Sequence, residues 1–375
     1  MFLAWRELIH ARSRFTLMGS VVVLISVLMV LLAGLSSGLV NDGVSGLQRM
    51  PAQAVAFAPE TRTDSAFTRS VIGPEQIEAW DERHDVAEAA PMGLSIINAK
   101  TSAGTPVDLT LIGAEPDGPL IPAVAEGRAP EADGEILISA TAAEDVELGD
   151  TVTVDRLEIP LEVVGIAAEQ HTFGHVDMAF TTLPTWQDVH SGTRFGEEPN
   201  EGARDEYSVV VLMGVDGQMP DLAAGDDAAD TSSRSMDEAF NASPGYQAET
   251  MTMSMITWFL YAISALVVGA FFAILTVQRA REIAVLRAMG ASTARLLLDA
   301  IGQALILLVI SIGVGVAIGV GVGSLLVGTG MPFALEAGPI ALGAALLLVL
   351  GLVGATLATV RISSVDPHSA LGENR

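Results

Sequence analysis

Cysteine is absent from the 375 residues, and lysine occurs once, at Lys100. The first absence excludes a disulfide framework, a thiolate metal centre and a cysteine nucleophile. The second bears on nucleotide binding. A P-loop needs a glycine-rich loop closed by Lys-Ser/Thr on the phosphates. Lys100 precedes Thr101 but follows SIINA, which is no such loop. The HExxH helix of a zinc protease and the GxSxG elbow of a serine hydrolase are missing as well. Charged residues are scarce at 17% and aromatic ones at 5%, against 50% hydrophobic residues. With a mean hydropathy of +0.47, that is the composition of a membrane protein.

What is there is four long apolar runs, at residues 16–40, 255–277, 300–328 and 339–360. Each is long enough to span a bilayer. The first is longer than the roughly 7–15 apolar residues of a secretory signal, so it is read as an uncleaved span. Residues 1–15, with Arg6, Arg12 and Arg14 among Phe2, Leu3, Trp5, Leu8 and Ile9, read as a cytoplasmic interfacial helix. The net charge of −26 is concentrated between the first two spans. Residues 41–250 hold 10 Lys and Arg against 39 Asp and Glu, a net −29, and the rest of the chain carries +3. Basic flanks face inward. The expected topology is therefore a multi-pass protein of the cell membrane, with both termini and residues 278–299 inside and the acidic block outside. An exterior this acidic excludes nucleic acid as a partner.

Residues 41–250 read as a soluble α+β domain, of two lobes. Strands are expected at 107–114, 135–140, 150–169, 178–183 and 206–213. Helices are expected at 74–85 and near 141–147, 184–190 and 234–241, with a surface loop over 214–233. The fold class is thus a membrane protein: an α-helical four-span transmembrane domain plus an extracytoplasmic α+β domain inserted between spans 1 and 2. Residues 361–375 form a cytoplasmic tail.

The segment 277–299, VQRAREIAVLRAMGASTARLLLD, carries four arginines against Glu282 and Asp299 and cannot sit in lipid. Ile283, Leu286, Met289 and Gly290 recur at helical spacing, which predicts an amphipathic helix on the membrane surface. It is either a basic connector or a dock for a cytoplasmic partner. Gly315, Gly319 and Gly323 recur every four residues in the third span, a spacing that lets helices pack closely. His171 and His175 are four apart, but HTFGH contains Gly174 and follows a strand, so structural or solvated histidines are the plainer reading than a metal pair. The spans lack carboxylates apart from Asp299 at an edge, which weighs against proton- or sodium-coupled transport.

This layout resembles the permease family of MacB- and FtsX-like ABC transporters. REIAVLRAMGAS (281–292) looks like that family's loop after the second span, and the terminal RISSVDPHSAL (361–371) is similar to its ending, where Asp-Pro precedes Ala-Leu. The resemblance implies a homodimer with two copies of a separate ABC ATPase subunit, which binds ATP and Mg; the chain has no nucleotide site, cofactor or catalytic residue of its own. It also implies mechanotransmission, with Arg279, Arg281, Glu282, Ile283, Leu286, Arg287, Met289 and Gly290 making the ATPase contact. With an outer domain of this modest size, the chain looks most like the compact heme-exporter permeases of that family. Heme is then the candidate substrate. Its iron takes His, Met, Tyr or Cys ligands, and the candidates near the outer interface are Met50, His171, His175, Met251, Met253, Met255, Trp258 and Tyr261. For the methionines, adaptable packing against a helix is the competing role. An antimicrobial-peptide or lipid exporter, and an FtsX-like regulator of a cell-wall hydrolase, are the alternatives.

Overall fold

The computed structural model describes residues 12–278 and 293–363. They divide into two compact units, the inserted domain Val40–Glu249 and a membrane unit built from the chain on either side. The interfacial segment through residue 11, the loop 279–292 and the tail from residue 364 lie outside the described residues.

Helix α1 runs Arg12–Gln48, 37 residues. At 1.5 Å per residue that is about 55 Å, well beyond the ~30 Å of hydrocarbon, so its last turns belong to the inserted domain. Val44 breaks the helical path, with φ −146° and ψ 16°.

The inserted domain follows with β1 Ala54–Phe57, α2 Ala66–Arg69, α3 Pro74–Asp81, β2 Val86–Thr101, β3 Pro106–Ala114, β4 Val124–Gly127 and β5 Glu135–Ile138. Then come β6 Thr151–Val154, β7 Pro160–Ala167, β8 Thr172–Phe173, β9 Val176–Thr182, α4 Leu183–His190, β10 Val209–Gly214, α5 Leu222–Ala229, β11 Ser232–Ser235 and α6 Met236–Ala239. The expected strand over 150–169 is two strands, β6 and β7, turned back on each other with Val152 opposite Leu161. The expected loop over 214–233 holds α5 and the first half of β11 instead. Asp221 accepts the Ala224 N–H at 3.2 Å and starts α5, a cap that offsets the low helix propensity of Gly225 and two aspartates. Neither β1 nor β2 was foreseen.

Strand β2 organises the domain. Its first half pairs with β10, its middle with β3 and its end with β6. Because β6 also pairs with β7, the strands β2–β3–β9–β5–β7–β6 close a hydrogen-bonded ring. Each strand turns alternate residues into it: Ile97, Leu109, Leu111, Ile136, Ile138, Val152, Leu161 and Ala179 share one buried cluster. The other lobe is the open sheet β11–β1–β10–β2. Ala54, Ala56, Val210 and Leu212 pack beneath Trp80 of α3. Val55, Phe57, Val209 and Val211 face the opposite side, where Leu47 and Met50 close the core.

The membrane unit contains α1, α7 (Tyr246–Gln278), α8 (Thr293–Ser324) and α9 (Ala337–Ser363), four helices long and apolar enough to cross a bilayer. Glycines set their approach. A Cβ on Gly319 would lie 2.7 Å from Val30 Cβ, and one on Gly315 would lie 2.7 Å from the Val23 carbonyl. α7 and α9 meet backbone to backbone, where a Gly269 Cβ would be 3.1 Å from the Gly354 carbonyl. Phe333, in the connection between α8 and α9, lies on Gly34 and Gly323, and the Ala334 N–H donates to the Gly34 carbonyl at 3.0 Å.

Candidate functional site

In the membrane unit the candidate surface lies on the first turns of α7. Met251, Met255 and Trp258 follow an i, i+4, i+7 spacing and share one helix face. They are 74%, 54% and 60% exposed, and Phe259 and Ile263 extend the apolar surface. A face this apolar on a membrane helix meets lipid, a second helix or a hydrophobic ligand. Met253 is half-buried. Tyr261 points the other way: it is buried with Met29 in the helix bundle, against Gly343, and its ring stands edge-on to Trp258 at 6.0 Å. A tyrosine at that position packs the bundle.

The remaining candidates fall in the inserted domain. Met50 is buried in its core beside Leu47 and Met178. His171 is buried too. Its backbone N–H donates to Ser139 Oγ at 2.9 Å, and its Nδ1 lies 2.9 Å from the Glu169 carbonyl. The ring stands edge-on to Phe180. Burial pushes the His171 pKa down, a shift its contact with the Glu169 carbonyl only partly opposes. His171 is thus buried, with its backbone and ring both engaged inside the domain.

His175 is different. It sits in the β8–β9 turn after Gly174, and both residues have positive φ, 64° and 59°. That conformation is ordinary for glycine and uncommon for histidine. The turn aims the imidazole between two carboxylates: Nδ1 is 2.8 Å from Asp42 Oδ2, and Nε2 is 3.1 Å from both Glu249 oxygens. Asp42 lies on the last turns of α1 and Glu249 on the first turn of α7. The backbone binds the same place. The break at Val44 leaves the Gly43 carbonyl open to outside donors, and it accepts from the Gly174 N–H at 2.8 Å and the Ser243 hydroxyl at 3.0 Å. Ser45 Oγ bonds Thr172 Oγ1 at 2.7 Å, and Arg49 pairs with Glu169 at 2.6 Å. His171 and His175 thus share one hairpin with opposite roles. Among the described residues no cluster of histidine and carboxylate side chains is placed to hold a metal ion. The residues of the expected ATPase contact, Arg279 to Gly290, lie outside the described residues.

Four apolar helices with a folded domain between the first and second define a multi-pass membrane protein. A family model described as MacB-like periplasmic core domain matches residues 15–225, and one described as FtsX-like permease C-terminal matches residues 254–367. The chain belongs to this FtsX- and MacB-like family of ABC transporter permeases. Such chains are membrane subunits that are not themselves enzymes and work with an ATPase partner.

The chain is 25% identical over 374 residues to a Staphylococcus haemolyticus protein named as hemin transport system permease protein HrtB, covering 99% of each. It is 23% identical to the protein of that name from Staphylococcus epidermidis, again over 99% of each. An uncharacterized ABC transporter permease of Mycobacterium tuberculosis, Rv0072, is 25% identical over 76% of this chain and 75% of its own length. Among solved structures, the extracellular domain of the YknZ transporter matches 49% of this chain and 98% of its own, at 16% identity and a TM-score of 0.35. The periplasmic region of MacB from Actinobacillus actinomycetemcomitans matches 50% of this chain and 89% of its own, at 12% identity and the same score.

Proposed function

We propose that this chain is the permease of an ATP-driven efflux pump of the mechanotransmission type that exports heme from the membrane and so relieves its toxicity. The observation that carries the reading is the end-to-end likeness to two permeases named for hemin transport. The geometry adds a face suited to a flat apolar ligand, Met251, Met255 and Trp258, with Met253 at its edge. Thioether sulfur is a ligand of heme iron, and an aromatic ring supplies a stacking wall.

In this proposal two copies of the chain pair in the bilayer and two ATPase subunits bind beneath them. ATP and magnesium belong to those subunits, and the permease carries no cofactor of its own. The acidic inserted domain stands outside the cell and both termini inside. The mechanical part rests on α7, 33 residues of unbroken helix from Tyr246 to Gln278, with Glu249 in its first turn. A continuous helix moves as a rod of about 50 Å, so a shift of the loop reaches the inserted domain.

The test is a heme titration of the permease with its ATPase in lipid nanodiscs, followed by absorption. The expected result is a saturable, stoichiometric Soret shift that Met255→Ala or Met251→Ala weakens about tenfold and that His171→Ala, at a buried site, leaves in place. A titration that never saturates removes heme; the family assignment stands, and peptide or lipid export, or control of a cell-wall hydrolase, takes its place.

A further inference from the structure

We propose that His175 is a pH-operated clasp: while protonated it ties the inserted-domain ends of α1 and α7, through Asp42 and Glu249, to the β8–β9 turn, and when neutral it releases one of them.

The argument is one of donors. A neutral imidazole carries one N–H, and imidazolium carries two. Both ring nitrogens of His175 face carboxylate oxygens, at 2.8 Å and 3.1 Å, and an ionised carboxylate only accepts. The three-residue arrangement is therefore complete only with imidazolium. Once the ring is neutral, one carboxylate faces a lone pair and is repelled.

The groups around the ring agree in sign. Asp42 comes from α1 and Glu249 from α7. Asp177 stands on β9, close enough to Asp42 for the two charges to act on each other. The Gly43 backbone lies beside both the imidazole and the Tyr246 ring, and Gln170 bonds Asp42 Oδ1 and Asn41 without adding charge. The nearest described cation on α1, Arg49, is paired with Glu169. The charges that act on His175 are those of Glu249 and Asp42, and both are negative.

Burial pulls the His175 pKa down, but the Asp42 hydrogen bond and the charges of Glu249 and Asp42 outweigh it and raise the pKa above its ordinary 6.5. A group whose folded pKa is raised contributes fully below its unfolded value and loses that contribution as pH rises through the folded one. The clasp is thus shut in mild acid and opens above pH 6.5. Asp42 and Glu249 lie 133 and 74 residues from His175 in sequence, so opening removes one tertiary tie between segments far apart in the chain, while the bonds of Gly43, Ser45 and Arg49 stay in place.

Hydrogen exchange of the full chain in lipid nanodiscs, at pH 6 and pH 8 and corrected for chemical exchange, reads local opening directly. Protection over 40–48, 172–178 and 244–250 is expected to fall about threefold to tenfold at the higher pH, the scale of one or two partly exposed ion pairs. The strand 107–114 should stay unchanged. His175→Gln should show the low protection at both pH values. Glu249→Gln, which keeps the histidine, should move the midpoint to lower pH. Protection that does not vary with pH in the natural chain, a pH dependence surviving in His175→Gln, or an unmoved midpoint in Glu249→Gln each overturns the clasp. None of these outcomes depends on what the pump carries.

Discussion

Trp186 of α4 belongs to the buried core of the strand ring. Its indole is fully buried, donates from Nε1 to Ser95 Oγ at 3.0 Å and stacks on His190 at 4.6 Å. Gly93 and Gly113 are paired across β2 and β3, and a Cβ on either would fall inside the tryptophan side chain. The ring has little room to yield, because its hydrogen bond and its stacking partner hold both ends. Gly93→Ala should therefore cost about 1–3 kcal/mol by overpacking, which lowers the melting midpoint by about 2–4 °C per kcal/mol for a domain of ~200 residues. Trp186→Phe in the same chain should recover part of that loss, since the two changes share one volume. Scanning calorimetry of the single and double variants checks both statements, and an unchanged midpoint for Gly93→Ala refutes them.

At the scale of the helix, the glycine pattern of α8 separates into working and idle positions. Gly315 and Gly319 seat Ser26 and Val30 of α1, whereas a Cβ on Gly321 meets nothing within 4 Å. Gly319→Ala should loosen the contact between α1 and α8 and lower the thermal stability of the detergent-solubilised chain by several degrees, as overpacking does. Gly321→Ala should be neutral or slightly stabilising. Equal effects from the two would show that the stripe does not pack α1. The four-residue period was legible in the sequence, and so were all four spans, because lipid demands long apolar runs that few other structures show. The 16-residue β2 was not. VAEAAPMGLSIINAKT has four alanines, a proline and a glycine, and it changes partners twice, so no single alternation runs through it. Nor was the role of His175, which depends on carboxylates far away in the chain. The visible signal was HTFGH with Gly174 before the histidine, which announces a turn and says nothing of what faces it. Met50, His171 and Tyr261 are ligand candidates by type and depth in the sequence; the structure buries all three.

For the whole molecule, the question is how the ATPase partner of an ABC transporter permease acts on it. In the proposed mechanism α7 carries motion along its length, which requires the ATPase to hold the loop 279–292 firmly. The charges proposed for that hold are Glu282 and Arg287, each able to make charge-assisted hydrogen bonds of about 1.5–3 kcal/mol. Removing both in Glu282→Ala with Arg287→Ala should weaken ATPase binding by tenfold or more. The spans and inserted domain should fold as before, because the change lies in a polar segment between two helices. Co-purification of the ATPase and its permease-stimulated hydrolysis rate are the readouts, with nanodisc thermal unfolding to show that the membrane unit is intact. A double variant that folds, loses its ATPase and still binds the substrate in equilibrium titration would separate the drive from the site, which is what a rod coupling two distant ends requires. Full co-purification with full stimulation would place the dock elsewhere on the chain.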